Sequence, residues 1–459
     1  MNLQKIIFSR KYWKRLISIT LAIFIFIKIS NVLNYIYAKD DNWTRILWHN
    51  FYEDKGKINN VYIGSSHVFC DINPKLLDEL NGQYNFNLAS PSQRLNGSYY
   101  LLKEADRNNS LSHVYLELYY LCSAKSTFDS NADPIDSKYN TNWINTDYME
   151  MSVNKLEYML SIAVPEIYPD ILFPFVRYRT NLDNWDLINQ TIKDKREASY
   201  LTYQYQSVDD NGNLDEVFQK QGYNYRTTSL LDENKIFCQS MILEENPMGN
   251  KSEENLRKII CYCQNQNIPI TLFISPIYEL ALISTEHYDN YINQIRKIAA
   301  EYQIDFYDFN LAKEEYLPIQ YGEYFHDINH LNSTGADMFT TFFSKIISEE
   351  FAENADYFYT CYAEKLQSAP PAIYGLYYRD FEIAQEFQDP VRTFWIASNR
   401  EEGMEYRIIM TPNEGDSYMV QDFIENKEFT ISLNEHGICT IVAKAKDTPE
   451  YVQTLKINY

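Results

Sequence analysis

Residues 59–74 read NNVYIGSSHVFCDINP. The apolar run Val61-Tyr62-Ile63 stops at Gly64-Ser65-Ser66-His67. A buried strand that delivers two hydroxyls and an imidazole at its end is either an ordinary strand-to-helix turn, with a serine capping the next helix, or the seat of a nucleophile. The flanking sequence decides the fold around it. VYIG is followed by the amphipathic NPKLLDEL, YNFNLA (84–89) precedes RLNGSYYLLKEAD, and HVYLELYY (113–120) supplies a third strand. Later, SEENLRKIICYCQNQN leads into PITLFISP (269–276), and a helix over roughly 289–302 leads into IDFYDFN (304–310). STGADMFTTFFSKIISEEF forms a last helix, with Asn332 and Ser333 as candidate N-caps. Strands alternating with helices of this length predict an α/β fold with a mostly parallel, doubly wound sheet. Ligands of such sheets bind beyond the carboxyl ends of the strands, where Ser66 falls.

The interval 121–250 is too long for one crossover. Its patches VNKLEYMLSI and NWDLINQTIKDKREASYL read as helices, and SVDDNGNLDE reads as a polar turn. This predicts an inserted helical subdomain or lid. From QSAPPAIYG onward, short alternating strands such as EYRIIMTP, EFTISLN and ICTIVAKAK are separated by turn residues, predicting a β-sandwich over 367–459. The expected organisation is therefore a basic segment and anchor over 1–38, an α/β domain over 39–366 and the sandwich.

Composition narrows the partners. The 459 residues carry a net charge of −22, with 45% hydrophobic and 15% aromatic residues, which excludes general disorder. Residues 1–38 hold six cations and no acid, so the rest of the chain is strongly acidic. No basic face is on offer for nucleic acid. Leu16 to Ala38 has the length of a membrane span, with Lys28 either snorkelling or lying beyond a span that begins near Ile6. Positive charges precede the apolar run, so an uncleaved anchor would keep the N-terminus inside and translocate the body. A cleavable signal peptide is the alternative, although NYIYAKDD offers a poor cleavage site. The seven cysteines are odd in number and scattered, giving neither a disulfide framework nor a zinc pattern; buried free thiols are the expectation.

A serine nucleophile needs a base, usually a histidine oriented by a carboxylate. YFHDINHLNSTGADMF places Asp327 and His330 three apart, after the fifth strand and before a capped helix. That loop opens on the same sheet edge as Ser66, so Asp327 would orient His330, and His330 would take the Ser66 proton. His326, with Glu323 three residues before it, is a lesser rival.

Gly64-Ser65-Ser66 after the first strand, with Asp327-x-x-His330 before the last helix, resembles the SGNH/GDSL hydrolase superfamily over roughly residues 59–120 and 251–350. The resemblance implies a three-layer, flavodoxin-like domain with Ser66 as nucleophile, Ser65 standing where the family usually has Asp, and no cofactor. It also implies oxyanion-hole donors from a second and a third block. Here the second block reads NLASPSQRLNG, which offers Asn87, Ser90, Ser92 and Gln93, with the backbone N–H of Ser92 or Ser90 in place of the usual Gly. The third block, usually Gly-x-Asn-Asp, reads LELYYLC, so its Asn donor is replaced from elsewhere, Asn87 or Gln93 being candidates. The anchor, the Gly-Ser-Ser opening and the long insertion are similar to a branch that includes DltD, of D-alanyl-lipoteichoic acid synthesis, and the AlgJ-like proteins of alginate O-acetylation. That similarity implies acyl transfer to a cell-surface polymer, beside a membrane-bound O-acyltransferase.

Other residues have two readings. His67 is a neighbour lining the pocket or a second base. Glu117 is a pocket carboxylate or one half of a strand-end salt bridge. YGLYYRDF and YFYTCY are sugar platforms or core. Arg177 and Arg179 clamp an acidic substrate group or form a structural pair. No metal-ligand cluster stands out. The expected function is that of an anchored, outward-facing serine esterase or O-acyltransferase. The alternative is an inactive protein of the same fold that binds a glycan or assembly partner through its sandwich.

Overall fold

A computed structural model describes residues 10–37, 43–124, 141–162, 168–177, 183–197, 199–202, 206–208, 212–230, 236–319, 321–348, 356–379, 391–432, 435–448 and 450–459. The chain divides into two compact units, residues 1–49 with 134–204, and residues 50–133 with 205–459.

In the larger unit, β1 (Asn60–Ile63) pairs in parallel with β2 (Asn85–Asn87) on one side and β3 (His113–Glu117) on the other. All four β1 residues are buried, as expected for a strand covered on both faces. Next come β4 (Gln206–Val208), β5 (Leu214–Gln219) and β6 (Tyr223–Arg226), a separate antiparallel sheet. β7 (Phe237–Gln239) and β8 (Met241–Ile242) precede β9 (Ile270–Ile274), which pairs with β3. β10 (Thr285–Glu286) joins β8, and β11 (Asp305–Asp308) joins β9. The main sheet is thus all parallel, in the order β2-β1-β3-β9-β11. The strand order reverses between β1 and β3, which opens a crevice at their carboxyl ends.

Aromatic packing covers the sheet. Phe343, on the helix Ser333–Ile347, is fully buried, with ring centroids 5.9 Å from Tyr62, 5.5 Å from Tyr115, 5.0 Å from Phe273 and 5.3 Å from Phe309. These rings come from β1, β3, β9 and the turn after β11, so one side chain joins four elements of the sheet.

The region expected to be a sandwich holds two four-stranded sheets that share one core. β12 (Ile373–Tyr378), β13 (Val391–Ser398), β14 (Met404–Pro412), β15 (Tyr418–Ile424), β16 (Glu428–Ser432), β17 (Gly437–Ala445) and β18 (Val452–Asn458) form two sheets, β16-β13-β12-β7 and β15-β14-β17-β18. Leu376, Phe394, Ile396, Ile408 and Ile441 share its core. One strand, β7, comes from the interval expected to be a helical insertion, and it lies parallel to β12. The helical reading of 121–250 holds for Thr141–Tyr148, Val153–Ser161, Tyr168–Leu172, Pro174–Arg177 and Trp185–Asp194 but not for β4 to β8. Those strands run two to six residues, too short for alternation to stand out in a polar segment.

In the smaller unit, the helix Arg10–Tyr37 contains a 26-residue stretch, Tyr12–Tyr37, whose most apolar 18 residues have a mean hydropathy of 2.2. Its length and composition meet the requirement of a membrane span or a signal sequence. Arg177 makes a two-pronged ion pair with Asp147 at 2.9 and 3.0 Å, which is its structural reading; Arg179 lies outside the described residues. All seven cysteines are free, and Cys70, Cys238, Cys263 and Cys439 are buried.

Phe343→Ala should cost about 3–5 kcal/mol of stability, as large aromatic truncations in a closed core do, read as a lowered denaturant midpoint at unchanged slope.

Candidate active site

The turn after β1 resolves into a division of labour between its two serines. Ser65 is the N-cap of the six-residue helix Ser66–Asp71, its Oγ accepting the His67 N–H at 3.3 Å. Ser66 is then the first helical residue and is only half-buried. Gly64 is required sterically, because a Cβ there would sit 2.6 Å from the Cβ of Glu117. The Ser65 N–H donates to Glu117 Oε2 at 2.9 Å, so the end of β3 holds the turn that follows β1.

Ser66 Oγ lies 2.7 Å from His330 Nε2, across 264 residues of sequence. His330 Nδ1 lies 2.9 Å from Asp327 Oδ2 and 3.0 Å from Oδ1. The same carboxylate accepts the N–H groups of Asn329 at 2.8 Å and His330 at 3.0 Å on Oδ1. Asp327 therefore closes the loop turn and orients the imidazole at once. Burial opposes its charge, but the His330 ring, Arg226 and the Asn329 N–H outweigh that cost and hold its carboxyl well below the usual range.

Arg226 belongs to the site and was not anticipated from the sequence. It sits at the end of β6 with its side chain 12% exposed, paired to Glu216 at 2.8 Å and 3.4 Å from Asp327 Oδ2. The signal for it was modest: DEVFQ and YNYR flank Lys220-Gln221-Gly222, a hairpin pattern that the polar surroundings mask. The hairpin also takes up His326, whose Nδ1 lies 2.7 Å from Thr228 Oγ1, while that hydroxyl donates to Asp215.

The short helix Ser66–Asp71 grips the histidine loop at both of its ends. Ser66 meets His330, and Asp71 Oδ1 accepts the Leu331 N–H at 3.0 Å from a fully buried position. Tyr119 Oη donates to Asn329 Oδ1 at 2.8 Å. Asn332 caps the helix that follows, accepting the Gly335 N–H at 3.1 Å.

His67 is buried, with its Nδ1 3.0 Å from Ser65 Oγ and its ring 4.9 Å from that of His330. Burial, then the neighbouring His330, push its pKa well down, so it is a neutral wall beside the His330 ring. Glu117 forms no salt bridge with a described cation, and its Oε1 is buried without a partner. Burial raises its pKa to about 7, against the pull of the Ser65 hydrogen bonds.

The second-block residues separate. Asn87 is one of the candidate oxyanion donors, but its amide donates to the carbonyls of Val68 at 3.1 Å and Ile72 at 2.8 Å, making it a strut under the helix Ser66–Asp71. Gln93 accepts from Ser90 Oγ at 2.9 Å and donates to Ser98 Oγ at 3.0 Å. Ser90 is buried, and Ser92 is exposed with φ +52° in the turn between them. In YFYTCY, Tyr357 and Tyr362 are buried, and Tyr362 Oη donates to Glu279 at 2.6 Å, which is the core reading; in YGLYYRDF, Tyr374, Tyr377 and Tyr378 are half-buried, and Asp380 and Phe381 lie outside the described residues.

Searches of the sequence against protein-family models and curated proteins return no match.

Because the folded state raises the Glu117 pKa, the folded chain keeps a proton that the unfolded chain releases. Its contribution to stability therefore falls as pH rises from about 4.5 to about 7 and is flat above that window. Glu117→Gln keeps an acceptor for the Ser65 N–H and removes the titration. The variant should gain stability relative to the parent across that window, by up to roughly 3 kcal/mol, in urea midpoints measured at several pH values.

Proposed function

We propose that the protein is a membrane-anchored serine ester hydrolase or O-acyltransferase of the SGNH type, with its α/β domain outside the cell. The observation that carries this reading is the unbroken contact from Ser66 Oγ through His330 to Asp327, at 2.7 and 2.9 Å. Such a chain converts a weak hydroxyl into a nucleophile. Its place beyond the carboxyl end of β1, at the reversal of strand order, is where doubly wound sheets bind ligands.

In this mechanism Ser66 Oγ attacks the carbonyl carbon of an acyl ester while His330 Nε2 takes the hydroxyl proton. Asp327 holds the ring so that Nε2 faces Ser66 and stabilises the imidazolium. The developing oxyanion is received by the backbone N–H of Ser66 and that of Ser92 or Ser90, since the Asn87 amide is engaged under the helix. The ester C–O bond breaks, and the leaving alcohol carries away the proton from His330. An acyl group is left on Ser66. Water or a polymer hydroxyl then attacks this acyl-enzyme, with His330 again as base, and restores Ser66. Hydrolysis and transfer share every step except the identity of that last nucleophile. Arg226 acts through Asp327 and is a positioning residue. Acyl esters of cell-surface polysaccharide or teichoic acid are the proposed substrates, with a membrane-bound O-acyltransferase as the proposed partner.

A fluorophosphonate probe should label Ser66 in the parent and not in Ser66→Ala or His330→Ala, with thermal midpoints unchanged. Undiminished labelling of Ser66→Ala, or no labelling of the parent, would sink the assignment and favour a binding protein of the same fold. For an aryl acetate, Asp327→Asn should lower kcat by on the order of 10⁴, as loss of the orienting carboxylate does elsewhere. Arg226→Met should lower it about tenfold at unchanged KM, the size expected for one long charge-assisted contact.

A further inference from the structure

The smaller unit turns an apolar face outward. On the helix Val153–Ser161, Asn154, Lys155, Tyr158 and Met159 are buried, while Val153, Leu156 and Leu160 are 73%, 40% and 48% exposed. Met151, just before the helix, is 70% exposed, and Trp185, which opens the helix Trp185–Asp194, is 67% exposed. A polar amide and a lysine lie inside while the branched aliphatic residues lie outside, with Glu157 and Ser161 at their edge, an inversion of what contact with water selects. Lys155 is held in by a 2.8 Å bond from its Nζ to the Met149 carbonyl, so the inversion is built into the fold.

The same unit contains the apolar helix Arg10–Tyr37, and the packing between them is continuous. Val153–Ser161 packs on Tyr168–Leu172, which packs on Pro174–Arg177, and this helix and Trp185–Asp194 both pack on the apolar helix. They grip its later part. The rings of Phe26 and Phe173 meet edge to face at 5.3 Å, the Phe175 N–H donates to Asn34 Oδ1 at 3.0 Å, and Lys195 Nζ donates to the Tyr35 carbonyl at 3.0 Å. From Leu16, where the apolar run begins, to Tyr37 the helix has 22 residues, about 33 Å at helical rise, against a bilayer hydrocarbon roughly 30 Å thick. Asn34 and Tyr35, which the short helices hold, therefore lie at the edge of the hydrocarbon.

We propose that the exposed residues Met151, Val153, Leu156, Leu160 and Trp185 lie in the boundary between lipid headgroups and acyl chains, so that the smaller unit forms a collar on the bilayer around its own helix. A helix lying in that boundary needs an apolar face turned towards the chains, and an exposed tryptophan is at home there. The inference rests on reading Arg10–Tyr37 as a membrane-spanning helix, and it goes beyond that reading because an anchored protein needs no second membrane contact.

The test uses the full chain in nanodiscs of phosphatidylcholine carrying a diazirine on one acyl chain, irradiated and mapped by mass spectrometry. Lipid adducts are expected on 10–37 and also on 151–160 and at Trp185. Adducts confined to 10–37 would overturn the collar while leaving the anchor, and would assign the apolar face to a protein partner instead. No adducts on 10–37 would overturn the anchor and the collar together. In Leu156→Asn/Leu160→Asn, adducts on 151–160 should fall several-fold while those on 10–37 stay constant. An undiminished yield would show that labelling ignores the face and would overturn the proposal.

Discussion

The carboxylate of Asp327 is the constraint on which the rest of the site depends. Its Oδ1 gathers the N–H groups of Asn329 and His330, and both oxygens face His330 Nδ1. Turn closure and ring orientation thus draw on one charged group, so the loop cannot take its shape without aiming the imidazole. A neutral amide in its place keeps an oxygen for the two backbone N–H groups but turns an NH2 donor towards His330 Nδ1 in place of Oδ2, so the loop could close while the ring loses its orienting charge. Arg226 and Glu216 hold the charge from the hairpin side, so a segment 150 to 160 residues after Ser66 in sequence helps to set the electrostatics around His330.

The second dependence is geometric. A helix of only six residues has little propensity of its own, yet Ser66–Asp71 is fixed at every point that matters. Ser65 caps it, Asn87 supports its carbonyls, and Asp71 ties its far end to Leu331. Parallel neighbours β1 and β3 supply the platform, and Gly64 allows Glu117 to approach the turn. Precision here comes from tertiary bonds to a short element, as pre-organised sites require.

Most of this framework was legible in the sequence, and the limits have physical causes. β1, β3 and β9 were readable as largely apolar runs, β2 and β11 from their place in the strand–helix alternation, and the helix capped by Asn332 because helix caps are local. Ser66, Asp327 and His330 could be linked because each sits at a strand or helix end, where a sheet topology dictates position. Arg226 could not, since its meaning comes from a hairpin docking onto a distant loop. Asn87 illustrates the opposite error: an amide near the right loop looks like a donor to substrate until the carbonyls above it are located. Glu117 had two readings, a pocket carboxylate or half of a salt bridge, and only its contact with the Ser65 N–H shows what it does.

The contribution of β7 to the sandwich has a consequence for how the chain can be divided. β12 meets β7 through Leu376 and Phe237, and a Cβ on Gly375 would come within 2.7 Å of the Ile236 carbonyl, so the two strands are fitted closely. A fragment beginning at residue 367 would leave that side of β12 with unpaired amides and carbonyls. Bare sheet margins recruit whatever strand is at hand, most readily a second copy of themselves. The sandwich is therefore not a detachable module: severing it from residues 236–239 would turn an internal seam into an adhesive one.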